Sequence, residues 1–87
     1  MTDRPAIDAI TPEQAAHVLA HFGEGGVPAG TFTADLIALI GHADPRNTTL
    51  LALGFPGYVQ AVWLAQNRTD GIERLRAIST GQAVAAA

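Results

Sequence analysis

The stretch Leu50-Leu51-Ala52-Leu53-Gly54-Phe55-Pro56-Gly57-Tyr58-Val59 constrains this chain more than any other. Two apolar runs of helical spacing meet at a corner built from two glycines and a proline. Proline has no N–H with which to continue a helix, and glycine supplies backbone freedom where the chain must turn. The same punctuation recurs at Thr11-Pro12, across residues 23–30, at Asp44-Pro45 and at Thr69-Asp70-Gly71. It cuts the chain into short segments whose apolar residues return every three or four positions. No alternating run is long enough for a sheet, and no segment repeats another. The expectation is an all-α protein, a compact orthogonal bundle of four to five short helices. It spans residues 10–78, with 1–9 as a flexible N-terminal arm and 79–87 as a flexible Ala-rich tail.

The first helix has the clearest start. Thr11 can accept from the amide of Gln14, Pro12 suits the first helical position, and Gln14 can reach back to complete a capping box. Ile10 precedes the cap as a hydrophobic staple. The helix should run to Phe22 and stop at Gly23, burying Ala15, Val18, Leu19 and Phe22. Residues 23–30 read as a flexible link. A second helix from Thr31 or Thr33 to Ala43 should present Phe32, Leu36, Leu39, Ile40 and Ala43 on one side, with Ile37 nearby. Asp44 then caps a third helix ending near Leu53, where Gly54 takes a left-handed conformation and Phe55 folds back onto Leu50 or Leu51. Pro56 opens a fourth helix to Asn67, and Thr69 caps a fifth that buries Ile72, Leu75 and Ile78.

A turn containing glycine between two helices invites a helix-turn-helix reading, which requires polar and basic side chains on the second helix. That helix reads Tyr58-Val59-Gln60-Ala61-Val62-Trp63-Leu64-Ala65-Gln66-Asn67. Apolar residues cover almost all of its circumference, and only Gln60 and Asn67 share a plainly polar side. Such a helix is buried rather than laid in a groove. Its candidate interface residues are Tyr58, Trp63, Val59 and Gln66, led by the aromatics, because aromatics with a polar handle dominate contact energetics. Tyr58 and Trp63 lie far apart around the helix, so one should pack in the core and the other, Trp63, on a partner.

Composition narrows the function classes. The 87 residues are 48% apolar and only 15% charged, more apolar material than a small domain hides easily, although 17 alanines supply much of it. The surplus points to a protein partner or self-association. All five basic residues are arginines, lysine is absent, and the formal charge is −3. That is the wrong sign for binding nucleic acid or an anionic membrane; the alternative reading is a nucleic-acid-associated regulator that uses an Arg68/Arg74/Arg76 face. The absence of cysteine excludes disulfides, thiolate metal sites and cysteine nucleophiles. No apolar stretch approaches the length of a membrane span and no signal-type segment follows the N-terminus, so a cytoplasmic location is expected. Asn67-Arg68-Thr69 fits a glycosylation sequon by chance.

Chemistry is sparse. The loop Gly25-Gly26-Val27-Pro28-Ala29-Gly30-Thr31 has the glycine spacing of a phosphate-binding loop but lacks both its lysine and its preceding strand. Glu13, His17 and His21 fall on one stripe at four-residue spacing and form the candidate metal set, read chiefly as solvated surface. His42, Asp44 and Arg46 read as a helix end followed by a cap. Ser79 is the sole serine, so no serine triad can be assembled. No catalytic residue, cofactor or small-molecule substrate is assigned, and the protein is expected not to be an enzyme.

Gly30-Thr31-Phe32-Thr33, Ala43-Asp44 and Leu53-Gly54-Phe55-Pro56-Gly57-Tyr58-Val59 resemble small uncharacterised helical proteins of actinobacteria and their phages. The resemblance spans about residues 11–78 and carries no catalytic motif. It implies an accessory protein that binds a host protein as an adaptor or inhibitor.

Overall fold

Thr11 stands in extended backbone, with φ −82° and ψ 160°, and starts the first helix, α1 (Pro12–His21). Its hydroxyl accepts from the Gln14 N–H at 3.1 Å, while Gln14 Oε1 accepts from the Thr11 N–H at 2.9 Å. The expected capping box is therefore formed, and Ile10 beside it is buried in the core. At the other end Gly23 takes φ 72°. The Glu24 N–H reaches back to the Leu19 carbonyl at 2.9 Å and the Gly23 N–H to that of Ala20 at 3.1 Å, which satisfies the carbonyls the last turn leaves open.

The computed structural model describes residues 9–81. The expected arm up to Asp8 and the tail from Gln82 onward lie outside the described residues. The four further helices are α2 (Thr31–Gly41), α3 (Pro45–Gly54), α4 (Pro56–Asn67) and α5 (Gly71–Ser79). No strand occurs among the described residues, so the fold is an all-α bundle of five helices. Ser79, expected in the tail, closes α5, and its hydroxyl donates to the Arg76 carbonyl.

Helix α4 lies at the centre and packs against each of the other four, while α5 closes the far side against α1. Its nearly all-apolar circumference demands this, and Val59, Ala61, Val62 and Leu64 are all buried. Around them gather Ala15, Val18 and Leu19 from α1, Leu36, Ile37 and Ile40 from α2, and Leu75 and Ile78 from α5. Gln60 is buried as well, against the expectation of a solvated polar side, and its Oε1 has no hydrogen-bond partner among the described residues.

The link between α1 and α2 is fastened rather than free. The Val27 N–H donates to the Ala16 carbonyl at 3.1 Å. Gly26 sits at φ 75°, so close over that carbonyl that a Cβ would overlap its oxygen. Arg76 of α5 grips the other end of the loop, reaching the Glu24 carboxylate at 2.9 Å and its carbonyl at 3.3 Å.

Three boundaries differ from the sequence expectation. Helix α2 stops at Gly41, leaving Ala43 in the link to α3. Gly54 is not left-handed; it is the last helical residue of α3, and the turn is made by Phe55 alone at φ −133°, ψ 57°. The cause is Pro56, whose ring pushes the residue before it out of the helical region. Phe55 thus ends α3 and begins α4 at once. At α5 the cap position falls on Asp70 rather than Thr69, and it makes no side-chain capping bond. The Asp70 carboxylate is taken by Arg74 at 2.8 Å and Arg68 at 3.0 Å.

Candidate interaction surface

Helix α3 forms because Asp44 Oδ1 accepts from the Asn47 N–H at 2.7 Å and Pro45 occupies the first turn. Having formed, it buries no residue fully. Thr48, Leu51 and Ala52 turn toward α4 and are partly covered. Arg46, Leu50 and Leu53, at four- and three-residue spacing, share the opposite stripe and point to solvent. A helix whose leucines face outward gains little from its own fold.

Helix α2 adds to this surface. Phe32 and Leu39 were expected in the core, but the helix turns Leu36, Ile37 and Ile40 inward and leaves both outside. Exposure reaches 69% at Phe32, 48% at Leu39, 54% at Leu50, 80% at Leu53 and 37% at Phe55. These five line the outer sides of α2 and α3 and the corner that follows α3. The Phe32 and Phe55 rings lie 6.4 Å apart, and Leu39 shares with Leu50 the wall of a cleft of about 550 Å³. Phe32 near the start of α2 approaches Phe55 at the end of α3 and only three residues join the helices, so the chain doubles back between them as an open hairpin. Both helices lean on α4 more than on each other.

The residues proposed from the sequence occupy other positions. Val59 is buried in the core. The side-chain amide of Gln66 donates to the Gly41 carbonyl at 2.9 Å, closing the C-terminal end of α2. Tyr58 is half-buried against the core, and its hydroxyl lies 2.8 Å from His17 Nδ1, with the two rings nearly parallel. Burial raises the Tyr58 pKa and the Glu13 carboxylate raises it further, while the Thr33 hydroxyl pulls the other way. Trp63 is 42% exposed and borders a second cleft, of about 450 Å³, shared with Ile40, Pro45 and Thr48. Ala43 lines both clefts, so Trp63 adjoins the hairpin surface across the α2–α3 link.

Glu13, His17 and His21 do not gather. His17 engages Tyr58, His21 packs edge-on against Phe22 at 4.9 Å, and no group of three metal-capable side chains converges among the described residues. Nor do the three C-terminal arginines form one open basic face: Arg68 and Arg74 share Asp70, and Arg76 pairs with Glu24. The Arg74 guanidinium, then that of Arg68, holds the Asp70 carboxyl down at about 2. No described helix is long and apolar enough to cross a membrane. No family model, curated protein or solved structure matches the chain.

The surface escapes the sequence because spacing puts Phe32 and Leu39 on one side of α2 together with Leu36 and Ile40, and it names no buried face for α3. One signal was available. Each helix carries more large apolar residues than a single seam on α4 can cover.

Proposed function

We propose that this protein is a non-enzymatic module that works by protein–protein contact through the outer side of the α2–α3 hairpin. The observation that carries the reading is α3 itself, a formed and capped helix with nothing fully buried and with Leu50 and Leu53 turned to solvent. Exposed apolar patches of this kind mark contact surfaces. Trp63 joins the patch at its edge, and Tyr58 supports the fold instead. The charge of −3 and the pairing of Arg68, Arg74 and Arg76 with acids favour a protein partner over a polyanion. In the phage or mobile-element setting implied by the resemblance, such a module would act as an adaptor or inhibitor.

The test is site-specific photo-crosslinking in the native cell extract. A photoreactive residue at position 53 should capture protein, whereas one at the exposed Glu73 of α5 should not. Equal, background-level capture at both positions would remove the reading.

A further inference from the structure

We propose that the occupant of this face is a second copy of the same chain, docked across a two-fold axis. The proposal rests on the hairpin being the contact face and adds its partner. Three observations support it.

The first is size. A large apolar side chain offers roughly 200 Å² when fully open, so the five exposed residues present on the order of 600 Å². A stable interface buries about 800 Å² on each partner, with an apolar centre and a polar rim. The patch supplies that centre without any other part of the surface.

The second concerns the chain's own ends. Outside residues 9–81 the only large apolar side chains are Met1, Ile7 and Val84. They are too few to supply the apolar counterpart that two phenylalanines and three leucines need.

The third is charge. Helix α2 has one charged residue, Asp35, and α3 has one, Arg46. Both are exposed, and neither forms a salt bridge among the described residues. Asp35 falls on the stripe of Phe32 and Leu39, three residues after the first and four before the second. Arg46 falls on the stripe of Leu50 and Leu53. The nearby Asp44 carboxylate is already committed to the Asn47 N–H. The face therefore carries Asp35 and Arg46 on its two apolar stripes, with the Asp44 carboxylate, still charged while it caps α3, at the link between them. In a two-fold contact, residue i of one copy meets j of the other and j meets i. A single complementary pair, Asp35 with the other copy's Arg46, is then satisfied twice.

Sedimentation equilibrium of the purified full chain, from low-micromolar to sub-millimolar concentration, tests this. A monomer–dimer equilibrium is expected. Leu53→Ser, at a solvent-facing position, should keep the helical spectrum and weaken the dimer at least about tenfold. Asp35→Arg and Arg46→Asp should each weaken it about tenfold, because one reversal places like charges together at both symmetric sites. The double variant Asp35→Arg/Arg46→Asp should recover to within about threefold of the original. A monomer at every concentration, a dimer untouched by Leu53→Ser, or reversals that add instead of recovering would each overturn the proposal. If the pure chain stays monomeric while position 53 captures a different protein from extract, the second copy falls and the contact face stands. If position 53 captures nothing, both fall.

Discussion

Gly26 and Gly54 are both corner glycines, yet the structure gives them opposite sensitivities to an added methyl group. At Gly26 the backbone is left-handed, φ 75°, and a Cβ would overlap the Ala16 carbonyl oxygen and stand 2.9 Å from Leu19 Cβ. Holding alanine in that conformation costs about 1–2 kcal/mol. Relieving the overlap means lifting the loop and stretching the Val27 N–H bond to Ala16, a further ~1 kcal/mol. The sum, about 2–3 kcal/mol, is large against the roughly 4–13 kcal/mol expected for a domain of this size. At Gly54 the backbone is helical and a Cβ meets nothing within 4 Å. Alanine there should be neutral or gain about 0.5 kcal/mol from the lower entropy of its unfolded chain. Circular dichroism melts read the contrast. With about 4–8 °C per kcal/mol in a domain of this size, Gly26→Ala should fall by about 8–24 °C. Gly54→Ala should hold or rise by about 2–4 °C on the same scale. If the two variants melt together, or if Gly54→Ala falls further, the fastened loop and the Phe55 corner are both misplaced.

Tyr58 is the only tyrosine, so absorbance titration of the phenolate reports it alone. Its midpoint should lie above 10.0 and move down in Glu13→Gln, with stability present below pH 10 and lost as pH rises through the folded midpoint; a midpoint at or below 10.0 would contradict the burial that sets it. Asp70 should titrate near 2 instead of 3.8 by carbon-detected NMR, and rise toward the usual value in Arg74→Ala. Its contribution to stability is complete above about pH 4 and lost as pH falls toward 2. A normal Asp70 midpoint would mean that the Arg68–Asp70–Arg74 cluster is not formed in solution.

Helix starts were legible in the sequence where a side chain and a proline act within one turn. Thr11-Pro12 with Gln14 and Asp44-Pro45 each took the expected role. Helix α4 was legible as central because its composition left it no exposed side of any width. What escaped depended on competition between groups distant in sequence or on a choice between overlapping stripes. Thr69 gave up the cap position to Asp70, whose carboxylate is held by two arginines instead of capping α5. Gly54 gave up the turn to Phe55 because Pro56 restricts the residue before it, a constraint stronger than the preference of glycine for left-handed backbone. In α2 the apolar residues span a wide arc, and spacing alone does not say which half meets α4; the structure selects Leu36, Ile37 and Ile40. His17 and Tyr58 are 41 residues apart, so their hydrogen bond had no local sign at all.

The central claim is that α3 is completed by contact with protein, and amide hydrogen exchange across concentration tests it most directly. Exchange protection follows local burial and packing. In the dilute protein, the α3 amides from Thr49 to Gly54 should exchange far faster than those of Val18 and Leu19, which sit in the core. As concentration rises through the self-association range, exchange in α3 and around Phe32 and Leu39 should slow in proportion to the dimer fraction, while Val18 and Leu19 stay constant. An α3 as protected as α1 at every concentration, or one whose exchange never responds to concentration or to added native extract, would contradict the account.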